Sequence, residues 1–473
     1  MSEAESATIL DPVFLSEIEA AIGASNIRVG SAILDLDPGE HPDNLGASAV
    51  VSPGSTEEVA AVVKACIRHS VPIVPQGGRT GLVGGSISKA GGIVLSLRRM
   101  NVIETLDPIE AVAVVQAGTT LQSLQEAALA QRLEPGIDLA ARGSATTGGM
   151  VSTNAGGVMA FRNGVMRHRI LGLEAVLPDG SVYSDMTRVV KNSAGYDLKH
   201  LFIGAEGTLG IVTRVAIKLD PVPAATATAL IGLPSTAAAI TAMRLAKSPN
   251  NGVLQAAEVL WSRYFRFTSG HFGWQATDYD MDSAAHLVIS LGGADEASLQ
   301  AAIGDIYEAI VDLHPEATAV LASTQVQEQE LWRLREETSL MYRQFPGAPS
   351  YDISIPIGGI EAFLDRALAQ LAGLGEDLDP FVFGHLADGN LHIVLNKPGS
   401  WLTEGRRLAV EGILYEDIRE KGGSFSAEHG VGSKRIGALV ATADQTKLML
   451  MAGIKKMLDP QNLFNPGKLF PNS

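Results

Sequence analysis

The sequence predicts an α+β fold in more than one domain, the second of them an antiparallel sheet backed by helices. Three observations predict it. The first is length: 473 residues exceed what one ordinary core holds, so two or three domains are expected. The second is a change of texture. Up to Leu219 short apolar runs alternate with helical patterns and glycine-rich loops. Beyond Pro221 and Pro223, Ala-rich helical segments (236–247, 295–313, 360–374) alternate with short strand signals (287–290, 353–357, 381–383, 392–395). The third is the clustering of glycine into two segments, P-Q-G-G-R-T-G-L-V-G-G-S from Pro75 to Ser86 and G-S-A-T-T-G-G-M-V-S-T-N-A-G-G from Gly143 to Gly157.

In chain order, residues 11–23 carry Phe14, Leu15, Ile18 and Ile22 at helical spacing. A polar connector runs to Leu45, and Ala49–Val51 is a short strand. Ser55-Thr56-Glu57-Glu58 reads as a capped start of a helix reaching His69. Val71–Val74 forms a strand that leads into the first glycine-rich segment. Ile93–Leu97 and Ala111–Ala117 are further strands, and Leu121–Gln131 is a helix. Ile170–Leu177 and Ser181–Tyr183 flank the turn Pro178-Asp179-Gly180, a hairpin signal. Val215–Leu219 closes this part. The tail holds a helix near 444–457 and a Pro/Asn/Gly-rich end. The expected divisions are 1–44, 45–222, 223–426 and 427–473.

Composition excludes several function classes. A net charge of −16 argues against nucleic-acid or anionic-membrane partners. Cys66 stands alone, so neither an intrachain disulfide nor a thiolate metal cluster is available. Glu3, Glu5, Asp11, Glu17 and Glu19 precede the first basic residue, Arg28, which is the wrong sign for a secretory or transit peptide. No apolar run reaches the roughly 18 residues of a membrane span. The chain reads as cytoplasmic, with a peripheral contact at the inner membrane compatible with it.

In the second glycine-rich segment five of fifteen residues are Gly and six are Ser, Thr or Asn. Such a segment is not expected to build a packed core. Its exposed N–H groups can approach and bind an anion. Neither segment fits the Rossmann G-x-G-x-x-G or the P-loop pattern. Both are read as cradling the pyrophosphate of one large cofactor.

At Phe381–Leu395 the apolar runs flank Asp388-Gly389-Asn390, a turn signal, so that His385 closes one strand and His392 opens the next. Farther on, S-A-E-H-G-V-G sets Glu428 beside His429. Two histidines and a carboxylate are a catalytic zinc set with a position left open for substrate. Arg333 and Arg335 follow a helical pattern, where arginine is ordinarily a solvated surface charge.

Together these stretches resemble the FAD-dependent 2-hydroxyacid dehydrogenases of the vanillyl-alcohol-oxidase fold. The likeness runs from about residue 45 to 470. It rests on P-Q-G-G-R-T-G-L, T-T-G-G…T-N-A-G-G, R-N-G-V-M-R, L-P-D-G, G-A-E-G-T-L-G-I-V, G-H-L-A-D-G-N-L-H, E-H-G-V-G and N-P-G-K in order. The resemblance implies a two-part FAD-binding domain over 45–222, a substrate or cap domain over 223–426, and a C-terminal segment that returns to the first. It implies that Pro75, Gly77, Gly78, Arg79, Thr80, Gly81, Leu82, Gly85 and Ser86 lie along the flavin pyrophosphate. Gly143, Ser144, Thr146, Gly148, Gly149, Ser152, Thr153, Asn154, Gly156, Glu206, Gly207, Gly210, Ile211 and Val212 would hold the remainder, with Asn465 and Lys468 closing from the tail. Relatives that attach FAD covalently carry His where this chain has Arg79, so dissociable FAD is expected.

The resemblance further implies that His385, His392 and Glu428 ligate a divalent metal, zinc first with Mn2+ or Fe2+ as alternatives. His429 would be the general base and Arg335 the partner of the substrate carboxylate. A metal on the alcohol oxygen lowers its pKa, and a neutral imidazole then takes the proton. The 2-hydroxyglutarate enzymes carry Lys where this chain has Ser350 and Asn where it has Val394. A distal substrate carboxylate would lose its cation here, which favours D-lactate or another monocarboxylic D-2-hydroxy acid. Tyr342 or Arg343 is a replacement contact in the D-2-hydroxyglutarate alternative. The expected partners are the small 2-hydroxy acid and an electron acceptor of the quinone, cytochrome or electron-transfer-flavoprotein class. A homodimer is one admissible assembly. Two readings from other classes stand beside this one: a flavin-free zinc hydrolase, and a non-catalytic flavin-binding subunit.

Overall fold

Ser55 accepts a hydrogen bond from the Glu58 N–H and starts the helix Thr56–His69, the N-cap that the S-T-E-E sequence calls for. The computed structural model describes residues 10–375 and 377–470. It divides into two units, one comprising the chain up to Val222 together with Glu428 onward, the other Pro223–Ala427.

The first unit holds two sheets. In the smaller, Ala49–Val51, Ile93–Ser96 and Ile73–Gln76 run parallel, and Ile27–Val29 pairs antiparallel at the edge. The helix Thr56–His69 is the crossover between two of the parallel strands, as such a pairing requires. Its Val59, Val62, Val63 and Cys66 are buried with Ile73, Ile93 and Leu95, and Phe14, Ile18 and Ile22 of the helix Pro12–Ile22 close over them. Burying such a side chain is worth about 1.5–3 kcal/mol. The larger sheet is antiparallel in the order Ile103–Asp107, Val112–Gln116, Ile211–Lys218, Ile170–Val176, Val182–Asp185. The helices Leu121–Leu129 and Thr147–Thr153 share its core.

The second unit is built on one seven-stranded antiparallel sheet. Its order is Thr318–Leu321, Ala225–Leu233, Ala285–Gly293, Val253–Trp261, Phe381–His385, Asn390–Val394, Ser350–Ser354. One face presents Leu230, Val288, Leu260, Phe383, Phe381 and Val394 to the helices Ser262–Phe272 and Gln325–Glu336, which bury Tyr264, Phe265, Leu331 and Leu334 against it. The Ala-rich helices Thr236–Ala246 and Glu296–Leu313 also pack on the sheet. Among the described residues no helix is long and apolar enough to cross a membrane.

Several expectations shift. The segment 143–157 is not loop throughout: Thr147–Thr153 is helical, with Thr147, Met150 and Val151 buried. Tertiary packing there overrides the low helix propensity of Gly148 and Gly149, and Asn154 ends the helix in the left-handed region at φ +53°. The strand expected at 71–74 begins at Ile73 and runs to Gln76, with Pro75 tolerated because the strand lies at the sheet edge; the one expected at 353–357 ends at Ser354, before Pro356. The connector contains Ile27–Val29, paired with Ala49–Val51. His392 lies in the middle of the strand Asn390–Val394 rather than at its start.

Candidate functional site

In the first unit both glycine-rich segments wall one cleft of about 340 Å3, within the range of small-molecule sites. The strand Ile73–Gln76 delivers Gly77 and Gly78 to it. A Cβ built on Gly77 would collide with Thr146 Oγ1, and one on Gly78 with the Ser144 carbonyl oxygen. Only glycine lets the two segments meet this closely. Gly78→Ala is therefore expected to cost about 1–3 kcal/mol of overpacking against backbone that cannot yield. Thermal unfolding would show that loss, and the flavin absorbance of the purified protein would fall with it.

Of the residues expected along the cofactor, Pro75, Gly77 to Leu82, Gly85, Ser86, Thr146, Gly148, Gly149, Ser152, Thr153, Gly156, Glu206, Gly207, Gly210, Ile211 and Val212 line this cleft. Gly143, Ser144, Asn154, Asn465 and Lys468 do not. Asn154 caps its helix and accepts a hydrogen bond from the Arg167 N–H. Asn465 Nδ2 donates to the carbonyls of Gly85 (2.9 Å) and Glu206 (2.7 Å), tying the tail to two loops of the cleft. Lys468 donates to the Ile87 carbonyl. Burial, with Lys89 nearby, pushes its ammonium down to about 8 against the pull of Glu206.

Glu206 itself is spent on the chain. Its two carboxylate oxygens accept the N–H groups of Val431 and Gly432, each at 2.8 Å. Burial pushes this carboxyl above its ordinary range despite those donors and Lys468. Arg79, buried at φ +60°, donates to the Asp37 carbonyl at 2.7 Å, and its own carbonyl accepts the Glu40 N–H. The same cleft is lined by Glu428 and His429, and Glu428 Oε1 accepts the Gly157 N–H at 2.7 Å. Leu97, Leu139 and Met150 add apolar wall that a reading of the sequence did not reach.

In the second unit the turn at Asp388-Gly389-Asn390, with Gly389 at φ +77°, folds Phe381–His385 onto Asn390–Val394. His385 and His392 project from one face, with Nε2 to Nε2 3.5 Å. His385 Nδ1 lies 2.6 Å from Glu258 Oε1, and His392 Nδ1 lies 3.6 Å from Asp352 Oδ1. A carboxylate behind a histidine takes the N–H and turns the other nitrogen outward as a lone pair. Two such lone pairs at this distance repel unless a cation or a proton lies between them. Ligands to one tetrahedral ion at roughly 2.0–2.1 Å stand about 3.4 Å apart, so the pair fits one divalent ion.

Arg335 is not the solvated charge its helical pattern suggests. It is 7% exposed. Its Nη2 lies 2.8 Å from Glu258 Oε2 and its guanidinium stacks over Phe383 at 4.7 Å. Its Nε is buried without a hydrogen-bond partner. Burial works to raise the Glu258 carboxyl, but His385 and Arg335 outweigh it and hold the group below its ordinary range. Glu258 and Asp352 are the residues that a reading of the sequence missed. Ser350 and Val394 face each other across neighbouring strands, Val394 buried in the apolar cluster. Tyr342 is about one-third exposed, and Arg343 lies 3.8 Å from Glu337.

Known proteins resemble the chain along most of its length. The family described as FAD binding domain matches residues 47–185, and that described as FAD linked oxidases, C-terminal domain, matches residues 222–469. D-2-hydroxyglutarate dehydrogenase of Xanthomonas citri pv. viticola is 37% identical over 426 residues, 89% of each chain. The mitochondrial D-2-hydroxyglutarate dehydrogenase of Bos taurus is 34% identical over 432 residues, covering 90% of this chain and 77% of its own. Among solved structures, substrate-bound p-cresol methylhydroxylase matches with a TM-score of 0.76 at 19% identity, over 97% of this chain and 96% of that one. An alkyldihydroxyacetonephosphate synthase matches with a TM-score of 0.73 at 17% identity, over 98% and 87%. Those two likenesses bear on fold alone.

Proposed function

The chain belongs to the FAD-linked oxidases of the vanillyl-alcohol-oxidase fold, and from that premise we propose that it oxidises a D-2-hydroxy acid to the 2-oxo acid with a divalent metal as second cofactor. The observation that carries the reading is the company Glu428 and His429 keep: both stand in the wall of the cleft formed by the glycine-rich segments. Bound FAD supplies the hydride acceptor, at N5. A bound divalent cation supplies a Lewis acid that makes an alcohol ionisable near neutral pH. His385, His392 and Glu428 are the ligands proposed for it, zinc being the first candidate. The paired Nε2 atoms, with Glu258 hydrogen-bonded behind His385 and Asp352 3.6 Å from His392, support this choice.

His429 accepts the hydroxyl proton at an imidazole nitrogen. Arg335 holds the substrate carboxylate through its fork of donors, and the tie of its guanidinium through Glu258 to His385 supports that role. FAD is held without a covalent bond, since Arg79 stands where a histidyl attachment would be. Turnover also requires an electron acceptor, for which a quinone, a cytochrome or an electron-transfer flavoprotein is proposed.

For substrate, Ser350 and Val394 favour D-lactate or another D-2-hydroxy acid with an uncharged side chain. A second carboxylate would find no lysine there, and an unpaired buried charge costs several kcal/mol. D-2-hydroxyglutarate is the second reading, favoured by the names of the relatives. An anaerobic flavin-reduction screen across D- and L-2-hydroxy acids, with and without chelator, separates the two. Ser350→Lys is expected to raise kcat/KM for D-2-hydroxyglutarate relative to D-lactate by about 100-fold, a gain of roughly 3 kcal/mol from restoring one cationic partner. A wild-type preference for D-2-hydroxyglutarate would reverse the assignment. A colourless protein with metal-dependent esterase activity would replace it with the hydrolase reading.

A further inference from the structure

We propose that Glu258 is a positioning residue that fixes a metal-ligating imidazole and the carboxylate-binding guanidinium relative to each other, so that one buried side chain governs both metal affinity and substrate affinity. This deepens the function proposed above and rests on it. Glu258 lies in the middle of the strand Val253–Trp261, in the apolar run A-A-E-V-L-W, and is 1% exposed. Its register partners are Val288 on one side and His385 on the other.

The two carboxylate oxygens are divided between two groups: Oε1 takes His385 Nδ1 at 2.6 Å, and Oε2 takes Arg335 Nη2 at 2.8 Å. Arg335 is held from its other sides too. Its guanidinium lies over Phe383, and the Tyr264 hydroxyl donates to its carbonyl at 2.9 Å.

Cohesion alone does not call for this arrangement. A buried ion pair often stabilises no better than well-packed apolar residues of similar volume, and the register neighbour of Glu258 on its other side, Val288, is apolar. What the carboxylate adds is direction. The first contact fixes the His385 tautomer and aims Nε2 toward His392. The second commits one guanidinium nitrogen, Nη2, and so fixes the direction of the rest of the fork. Partners of this kind behind a metal ligand typically change metal affinity or activity by 10–100-fold.

The test uses the full-length flavin-loaded enzyme. Zn2+ affinity is measured against a graded chelator, and kcat and KM are measured with and without saturating Zn2+. Glu258→Gln is expected to keep its flavin absorbance, bind Zn2+ about 10–100-fold more weakly and raise KM for the 2-hydroxy acid. Saturating Zn2+ should restore kcat and leave KM high, a split that general loosening of the fold would not produce. Zn2+ affinity and KM both at wild-type values would overturn the proposal.

If Glu258→Gln does not fold, Glu258→Asp decides. It is one methylene shorter and cannot span both partners. A loss of about fivefold or more in Zn2+ affinity together with a comparable rise in KM supports the proposal, and a wild-type value in either overturns it. A wild type that reduces its flavin fully yet retains no metal would defeat the metal reading itself, and that failure is visible before any variant is made.

Discussion

His429→Ala is expected to lower kcat by 10²–10⁴-fold while the absorbance of bound flavin stays as in the wild type. A positioned base contributes a factor of this size to a proton transfer in the transition state. Alanine removes the acceptor without adding bulk to the wall of the cleft that His429 lines. Anaerobic single-turnover reduction of the flavin is the measurement, because it isolates the step in which the hydroxyl loses its proton from any later electron transfer. KM should move little, since the carboxylate contact proposed for Arg335 is untouched. Flavin reduction at the wild-type rate would remove His429 from the role of base, and a wild type whose flavin no 2-hydroxy acid reduces would leave a non-catalytic flavin-binding subunit as the better description.

His385→Ala is expected to abolish metal retention and to reduce kcat/KM by about 1,000-fold. A Lewis acid on an ionising oxygen is worth several kcal/mol, and 4 kcal/mol is roughly three powers of ten in rate. His392 and Glu428, what is then left of the three proposed ligands, are too few to retain the ion. Chelator should reproduce the loss in the wild type, and added Zn2+ should reverse it there but not in the variant. Metal content of the dialysed proteins checks both halves. The substitution also strips Glu258 of one of its two partners while the other, Arg335, stays in place. A stability loss of about 3–5 kcal/mol is the upper bound for breaking a buried pair, so unfolding should be followed in parallel.

Much of the site could be read from residues close together in the chain. The histidines of G-H-L-A-D-G-N-L-H converge because a turn signal separates two apolar runs, and that information is local. The paired glycines of P-Q-G-G let that segment close on Ser144 and Thr146 because each dispenses with a side chain, and their presence is plain from composition alone. The burial of Arg335 was hidden for the opposite reason. Its partner Glu258 is far away in sequence, on a strand the pattern of apolar residues did not single out, and a helical arginine looks the same whether solvated or buried. The available signal was Glu258 itself, a lone acid within A-A-E-V-L-W, where an unpaired charge would be too costly to keep. The helix at Thr147–Thr153 was masked by its glycines, although Met150 and Val151 one turn in were the apolar residues it buries.

The unit carrying the cleft is interrupted in sequence: its last segment, from Glu428, follows the whole of Pro223–Ala427. During synthesis the glycine-rich segments leave the ribosome early, while Val431, Gly432 and Asn465, which hold Glu206 and Gly85 in place, are still untranslated. At 5–20 residues per second the intervening stretch of about 200 residues takes roughly 10–40 s. Throughout that interval the nascent chain has a half-built nucleotide cradle and an acidic side chain with nothing yet to receive it. Capture of a flavin in the cleft proposed for it would thereby wait for the polypeptide to be completed, and a transcript shortened near its 3′ end, though it encodes every glycine of both segments, is expected to yield an apoprotein.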